Sequence, residues 1–547
     1  GVMSDFQQTN PTPDSLRSWV MSYYVQDSIR LNKHFTFNVG LRWEPTFSDP
    51  DTQRRGDSFS QAAFLAGTVS TVHPTAPPGL FFPGDPGIPA ANWNGQKANF
   101  APRVGMVWNP SGEGKDTLRV GGAILYDSAE TWFNERETTN PPYGNDIDAG
   151  KAQLSNPWAN FAGGNPFPQA PGNLFFPKSG VYVDMPVNPK STYVVNWNIT
   201  YQRQFAHDWM ASASYLGNHT THLWIALEND PDIYIPGNCT AGQYGLTAAG
   251  PCSSTASANY QARRMLTLAA GPTKGDYYAS IDRMDDGATS RYQGLLLSTQ
   301  HRLSSHYTFL ANFTDSYCLS DYDFGAALAG STNSQVFNRH ADWGPCVSDA
   351  RYLFNGSLVA TSTWHSDNKA MTALLSNWEL APLFQARTGQ PLTVTTGTDN
   401  SRTDLGNDRP NQIQKDYEAT NKICSSSIIC VQKLANGLDG NLTAFIANTI
   451  GTYGDVGRNA LRGPGYFGFD LQLSRTFAIK ERYSLQFIAN AFNIMNHANF
   501  VGGFAPAGQP AGASFGTVST ALNSSTFGQI TGAYDPRILQ LALKFRF

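Results

Sequence analysis

The sequence predicts an all-β protein, an antiparallel β-barrel that crosses a membrane with about thirteen strands and carries its long loops on one rim. Three observations predict it. Apolar residues recur with a period of two over stretches of about ten residues, the repeat of a strand with one oily and one polar face. The connections alternate between a few polar residues and dozens of residues rich in Gly, Pro and Asn. Only 15% of the 547 residues are charged, 12% are aromatic, and there are 50 Gly and 33 Pro, a mixture that favours strands and turns over helices.

The same composition argues against other classes. Mean hydropathy is −0.34, and no apolar run approaches the roughly 20 residues of a membrane helix. Alternating strands average to just such a polar composition, so the hydropathy leaves a barrel open. With 38 basic and 42 acidic residues and no segment that concentrates Lys and Arg, no nucleic-acid partner is expected. The start, GVMSDFQQTNPTPDS, has neither the basic nor the apolar region of a signal peptide. The expectation is a removed leader or a chain that begins partway through a larger protein.

The first strands fall near 17–31 and 34–46, joined at Leu31 to His34. In the second, Phe35, Phe37, Val39, Leu41 and Trp43 share one face, and Thr36, Asn38, Gly40, Arg42 and Glu44 the other. Strands near 100–109 and 116–127 turn at Asn109 to Asp116, those near 192–205 and 208–220 at Phe205 to Asp208, and those near 291–303 and 306–317 at Leu303 to His306. Two more are read near 351–365 and 374–397. Those near 465–479 and 483–497 turn at Ala478 to Tyr483, with Phe467, Phe469, Leu471 and Leu473 opposite Asp470, Gln472 and Ser474. In the last, 536–547, Leu539, Leu541, Leu543, Phe545 and Phe547 oppose Gln540, Ala542, Lys544 and Arg546. Long loops fill 47–99, 128–190, 221–290, 318–350, 398–464 and 498–535. Short turns on one rim and long loops on the other are the arrangement of bacterial outer-membrane barrels. A soluble sandwich or propeller also alternates. Against those stand the apolar face of the last strand, the aromatics Trp19, Tyr23, Tyr24, Trp43, Tyr466 and Phe467 at strand ends, and strands longer than the roughly six residues of a sandwich.

Six cysteines fall as sequence neighbours, Cys239 with Cys252, Cys318 with Cys346 and Cys424 with Cys430. In loops this suggests three local disulfides and an oxidising compartment, although six cysteines allow about 15 pairings and reduced thiols are the alternative. No C-x-x-C spacing points to zinc. His219 and His222 have a ligand-like spacing but no carboxylate nearby. Asp399, Asn400, Asp404, Asn407 and Asp408 form an oxygen-rich segment that could contact a loop ligand or calcium outside the cell. It lacks the spacing and closing Glu of an EF-hand, and a hydrogen-bonded loop is the simpler reading. Asp285 and Asp286 read as a turn pair. No nucleophile elbow, phosphate loop or dinucleotide fingerprint occurs, so no catalytic residue, metal site or cofactor is expected.

Nine segments carry a resemblance: SYYVQDSIRLNKHFTFNVGLRWE (22–44), NFAPRVGMVWNP (99–110), NWNITYQRQF (196–205), YLGNHTTHL (215–223), YQGLLLSTQHRL (292–303), RTGQPLTVTTGTDNSRTDLGNDRPN (387–411), GRNALRGPGYFGFDLQLSRTF (457–477), LQFIANAFNIMNHANF (485–500) and TFGQITGAYDPRILQLALKFRF (526–547). In this order the chain resembles the C-terminal barrel region of Oar-like TonB-dependent outer-membrane receptors. The segments TDSYCLSD and GPCVSDARY, with Cys318 and Cys346, also look like variants of that family. The resemblance implies that residues 1–547 are the C-terminal part of an outer-membrane barrel of about 22 strands. The family's signal peptide, carboxypeptidase-regulatory-like domain, plug and TonB-binding motif are not visible in the chain. Alone, the thirteen strands are expected to form an open, curved sheet.

Function follows from the resemblance as an expectation. Outer-membrane lipid, the TonB complex acting through the missing N-terminal part, and an extracellular substrate are the implied partners. Leu541, Leu543, Phe545 and Phe547 resemble the signal read by the barrel-assembly machinery, and the same residues also read simply as lipid-facing. Stapled loops suit a bulky substrate, because a staple lowers the ordering cost of binding. Loop aromatics with Asn and Asp suit a glycan or peptide. An adhesin, a protein-export conduit, a passive pore and a soluble extracellular binding module remain the alternatives.

Overall fold

The computed structural model describes all residues except 4–5, 14, 128–136, 149–151, 160, 162–163, 168–173, 206–207, 302–305, 322–332, 365–366, 407, 414–444, 481–482, 501–520, 525–526 and 528–532. Thirteen strands form the wall, in chain order β1 (Tyr23–Arg30), β2 (Phe35–Trp43), β3 (Phe100–Trp108), β4 (Asp116–Tyr126), β5 (Tyr193–Gln204), β6 (Trp209–Glu228), β7 (Tyr278–His301), β8 (Tyr307–Ser320), β9 (Tyr352–Thr361), β10 (Trp378–Arg387), β11 (Tyr466–Lys480), β12 (Tyr483–Phe492) and β13 (Ile538–Arg546). Every neighbouring pair is antiparallel, and together they make one barrel-type sheet.

Register explains why the alternation in each strand adds up to one surface. Ile29, Phe37, Met106, Val120, Ile199, Tyr215 and Leu295 follow one another through successive cross-strand partners from β1 to β7. Leu380, Leu473, Ala489 and Leu541 do the same from β10 to β13. The opposite face carries rows such as Gln472, Asn490 and Gln540, and Asn38 to Gly105 to Gly121 to Asn198. A slip of one residue would put polar groups into lipid, so this register is strongly specified. At Gly121 an added Cβ would lie 2.7 Å from the Asn198 amide oxygen, which is why that inner row has no side chain there.

The ladders run in a line from β1 to β13, and none joins these two strands among the described residues. Every residue of both strands is exposed, whereas β4 between its neighbours is exposed only at Arg119. Among the described residues the wall therefore has two free edges.

Buried apolar clusters lie outside the membrane wall, in the long connections and the strand ends that enter them. The largest gathers Phe59, Phe64, Leu80, Phe82, Tyr182, Leu266, Tyr278 and Ile281. A second holds Trp93, Val183, Met185, Trp224, Ala226 and Met284. A third holds Leu392, Val394, Phe445, Val456, Leu461 and Phe527. The inside-out distribution is what lipid outside and water inside the wall require.

Several expected boundaries need correction. The first strand starts at Tyr23 rather than 17. Residues 278–290, expected in a loop, are the outer half of β7, and β6 runs on to Glu228 rather than stopping near 220. Of the stretch near 374–397 the strand β10 covers only Trp378–Arg387, and a helix, Lys369–Leu375, precedes it. Asn368 starts that helix by accepting from the Ala370 and Met371 amides, which takes the chain out of the extended form.

Candidate functional site

The described residues of the connections between β2 and β3, between β4 and β5, and between β6 and β7 fold together into a lobe on the rim opposite the short turns. In the first, Ser58–Phe59 pairs with Leu80–Phe81 around a helix, Gln61–Ala66, begun by the Ser60 hydroxyl and ended by Gly67 at φ 72°. The strand Gly180–Asp184 then lies parallel to the outer half of β7. Asn140, fully buried, ties two connections together: its amide donates to Asp57 (2.9 Å) and to the Val183 carbonyl (2.7 Å), and its oxygen accepts from the Val183 amide (2.9 Å). Asp184 accepts from the Phe59 amide at 2.8 Å. Burial raises the Asp184 carboxyl to about 6, against that hydrogen bond and the attraction of Arg283.

The third connection contributes three short helices, Ser257–Arg263, Met265–Ala270 and Pro272–Gly275, and a hairpin in which Asn238–Cys239 pairs with Gly250–Pro251. Cys239 and Cys252 are bonded across it. Asn259, fully buried, holds the hairpin to the first helix: its amide donates to the carbonyls of Tyr244 (2.8 Å) and Cys252 (3.0 Å), and its oxygen accepts from Ser254 N (2.7 Å) and Arg263 Nε (2.8 Å).

Arg263 and Arg264 organise the charge. Arg263 donates to the carbonyls of Ile233 (2.7 Å) and Arg402 (2.9 Å). Arg264 donates to the Asp230 carbonyl (2.8 Å) and to the Asp404 carboxylate (3.1 Å), and lies 3.7 Å from Glu228. Burial raises Asp230 to about 7, with Arg264 opposing the rise. It pushes Asp232, neither of whose carboxylate oxygens has a hydrogen-bond partner among the described residues, well above the ordinary carboxylate range.

The oxygen-rich segment proves to be a docking contact between loops. Asp399 accepts from Tyr260 Oη at 2.7 Å, from the Arg402 amide at 2.8 Å and from Ser401 Oγ at 3.0 Å. Asp404 is taken by Arg264, and Asp408 by the Asn448 amide at 3.1 Å. Among the described residues these carboxylates do not form a group that could hold a metal ion. Cys318 and Cys346 are bonded at the outer end of β8; Cys424 and Cys430 lie outside the described residues. Leu541, Leu543 and Phe545 lie along one face of β13, and Phe547 follows its end, 71%, 71%, 54% and 93% exposed. His222 sits at a bulge in β6 with φ 59°, its ring nitrogen 3.1 Å from the Asp286 carbonyl.

Sequence reasoning missed Asn259 and the two arginines. The Arg263–Arg264 dipeptide was the one available signal, since adjacent cations in a loop of so weakly charged a chain need partners.

Between the lobe and Asp404 lies a cavity of about 980 Å³, whose lining includes Tyr244, Thr255, Tyr260, Gln261, Asp276 and Asp404. The family model described as outer membrane beta barrel domain matches residues 1–540. The chain belongs to this outer-membrane β-barrel family. The barrel is therefore a bacterial outer-membrane wall, with its short turns periplasmic and the lobe outside the cell. The chain is also similar to solved structures of outer-membrane proteins. The transporter YddB from Escherichia coli shares 8% identity over 96% of this chain and 45% of its own, with a TM-score of 0.46. The ferripyoverdine receptor of Pseudomonas aeruginosa shares 8% over 96% and 38%, with 0.40. The siderophore receptor PirA from Acinetobacter baumannii shares 11% over 96% and 45%, with 0.41. The barrel chain thus spans less than half the length of each. A comparison with curated proteins finds no match.

Proposed function

We propose that this barrel chain is the C-terminal part of an Oar-like TonB-dependent receptor. Its external lobe would bind a bulky substrate, a glycan or peptide, and the lumen would pass it inward when TonB acts on a plug outside residues 1–547. The observation that carries the reading is the lobe itself. It has its own apolar core, a disulfide hairpin and a large cavity, which is more construction than a simple pore mouth needs. The free edges of β1 and β13 support the missing part, because in a bilayer each unpaired backbone group costs several kcal/mol and further strands would satisfy them. The apolar row ending in Phe547 supports recognition by the barrel-assembly machinery.

Energised uptake tests the proposal. Cells carrying the full-length protein should accumulate a lobe-binding substrate only with functional TonB. Equal uptake without TonB would support a passive pore, and surface attachment or secretion without uptake would support the adhesin or export conduit.

A further inference from the structure

We infer that the cavity beside Tyr244 is a binding site for an uncharged, polyhydroxylated ligand, a neutral oligosaccharide. The inference deepens the receptor reading above and rests on it. At about 980 Å³ the cavity lies at the upper end of the roughly 300–1,000 Å³ of small-ligand sites, enough for several sugar rings.

Charge excludes ionic ligands. The one arginine on the lining, Arg264, is already engaged by Asp404, the Asp230 carbonyl and Glu228. Lys178, next to Asp276, donates to the Thr273 carbonyl at 3.1 Å and lies 3.7 Å over the Tyr277 ring. Among the described lining residues Arg264 is the only cation, and its terminal nitrogens are committed to the Asp230 carbonyl and Asp404. The lining carboxylates gain equally little from a new cation, because Asp404 faces Arg264 and Asp276 feels Lys178.

What remains is hydroxyl, amide and ring. Thr255 and Ser257 offer hydroxyls, Gln261 offers its amide oxygen while its nitrogen donates to the Tyr278 carbonyl at 2.8 Å, Tyr244 adds a flat apolar face with a polar tip, and Tyr260, whose hydroxyl is given to Asp399, adds its ring. Sugars present the same two elements, C–H faces and hydroxyl edges.

The wall is prebuilt. Tyr244 has φ 46° and ψ 42°, a left-handed conformation that a non-glycine residue keeps only when its surroundings enforce it. Two things enforce it here. The Cys239–Cys252 bond closes the loop that holds Tyr244, and Asn259 fixes the Tyr244 carbonyl. Rigid aromatic presentation lowers the ordering cost of binding.

The test uses full-length protein in detergent, fluorescently labelled, on an array of neutral oligosaccharides, uronic-acid oligosaccharides, and lysine-rich and glutamate-rich peptides. Retention on neutral oligosaccharides is expected, weakened at least tenfold by Tyr244→Ala and largely kept by Tyr244→Trp. The Asn259 contact is to the backbone, so truncating the side chain leaves it in place, and an intact Cys239–Cys252 bond in the variant reports that the hairpin has formed. Neutral-glycan retention that Tyr244→Ala leaves unchanged overturns the site. Retention only on charged glycans or peptides, lost in Tyr244→Ala, overturns the ligand class while keeping recognition by the lobe. No retention of any probe, together with TonB-independent uptake, overturns both readings.

Discussion

Arg264 is the residue on which the external lobe turns. Its guanidinium faces Glu228, Asp230, Asp232 and Asp404, the last two together with that of Arg263. Removing one partner of a buried ionic group costs more than the group contributes, because the others are left uncompensated, about 3–5 kcal/mol. Arg264→Ala should therefore open the connection 229–277 to limited proteolysis while the wall stays protected. Wild-type cleavage rates would refute this.

The carboxyls there also set a pH dependence. Asp184 is raised to about 6 and Asp230 to about 7, above the roughly 3.9 of an unfolded Asp. Between about pH 4 and 7 the folded lobe then holds more protons than the unfolded chain, so its stability falls as pH rises through that window. Amide hydrogen exchange of residues 180–184 and 228–232, corrected for intrinsic rate, should show stronger protection at pH 5 than at pH 8. Equal protection would remove these groups from the account.

Among the elements, the hairpin stapled by Cys239–Cys252 closes a loop of 13 residues, and such a constraint contributes about 3 kcal/mol by restricting the unfolded chain. The paired change Cys239→Ser and Cys252→Ser should expose the segment 240–251 to proteases without loss of the barrel. In the wall, Leu473 and Gln472 are neighbours on opposite faces. Leu473→Lys places a charge toward lipid at a cost of about 2–4 kcal/mol at the midplane, whereas Gln472→Lys stays inside beside Glu379, now 3.5 Å from the Gln472 amide. The fraction of folded, heat-modifiable barrel should drop for the first and hold for the second; equal yields would mean that the faces are assigned wrongly.

The wall was legible because lipid imposes a period of two on every strand, and rows such as Leu380, Leu473, Ala489 and Leu541 only had to be brought into register. The outer half of β7 was not. Its sequence, YASIDRMDDGATS, holds acids that deny it an oily face, and it is a strand because β6 and Gly180–Asp184 flank it, which no local pattern reports. The site was legible in part. The cysteines announced the hairpin. The carboxylates Asp399 and Asp404 stood out by composition, but their meaning came from Tyr260 and Arg264, roughly 140 residues away along the chain.

At the scale of the molecule, the two free edges dominate. Barrels in lipid close, and β1 and β13 are exposed along their whole length. The protein isolated from outer membranes is expected to weigh more than the 59.6 kDa of these residues. A 59.6 kDa species that is heat-modifiable and conducts in a bilayer would show that these strands close by themselves.

The length of β7 has a physical consequence for how the lobe senses its surroundings. At about 3.3 Å per residue and a tilt near 40°, its 24 residues climb roughly 60 Å, and the apolar band takes only about 25 Å of that. Asp276 and Ala279, at the outer end of the strand, line the cavity, which therefore stands on the order of 30 Å above the lipid. The Debye length at physiological ionic strength is about 8 Å, so several screening lengths separate the cavity from the charged headgroups. What the lobe meets is decided by short-range fit in bulk electrolyte, and its preferences should be the same in anionic and in neutral membranes.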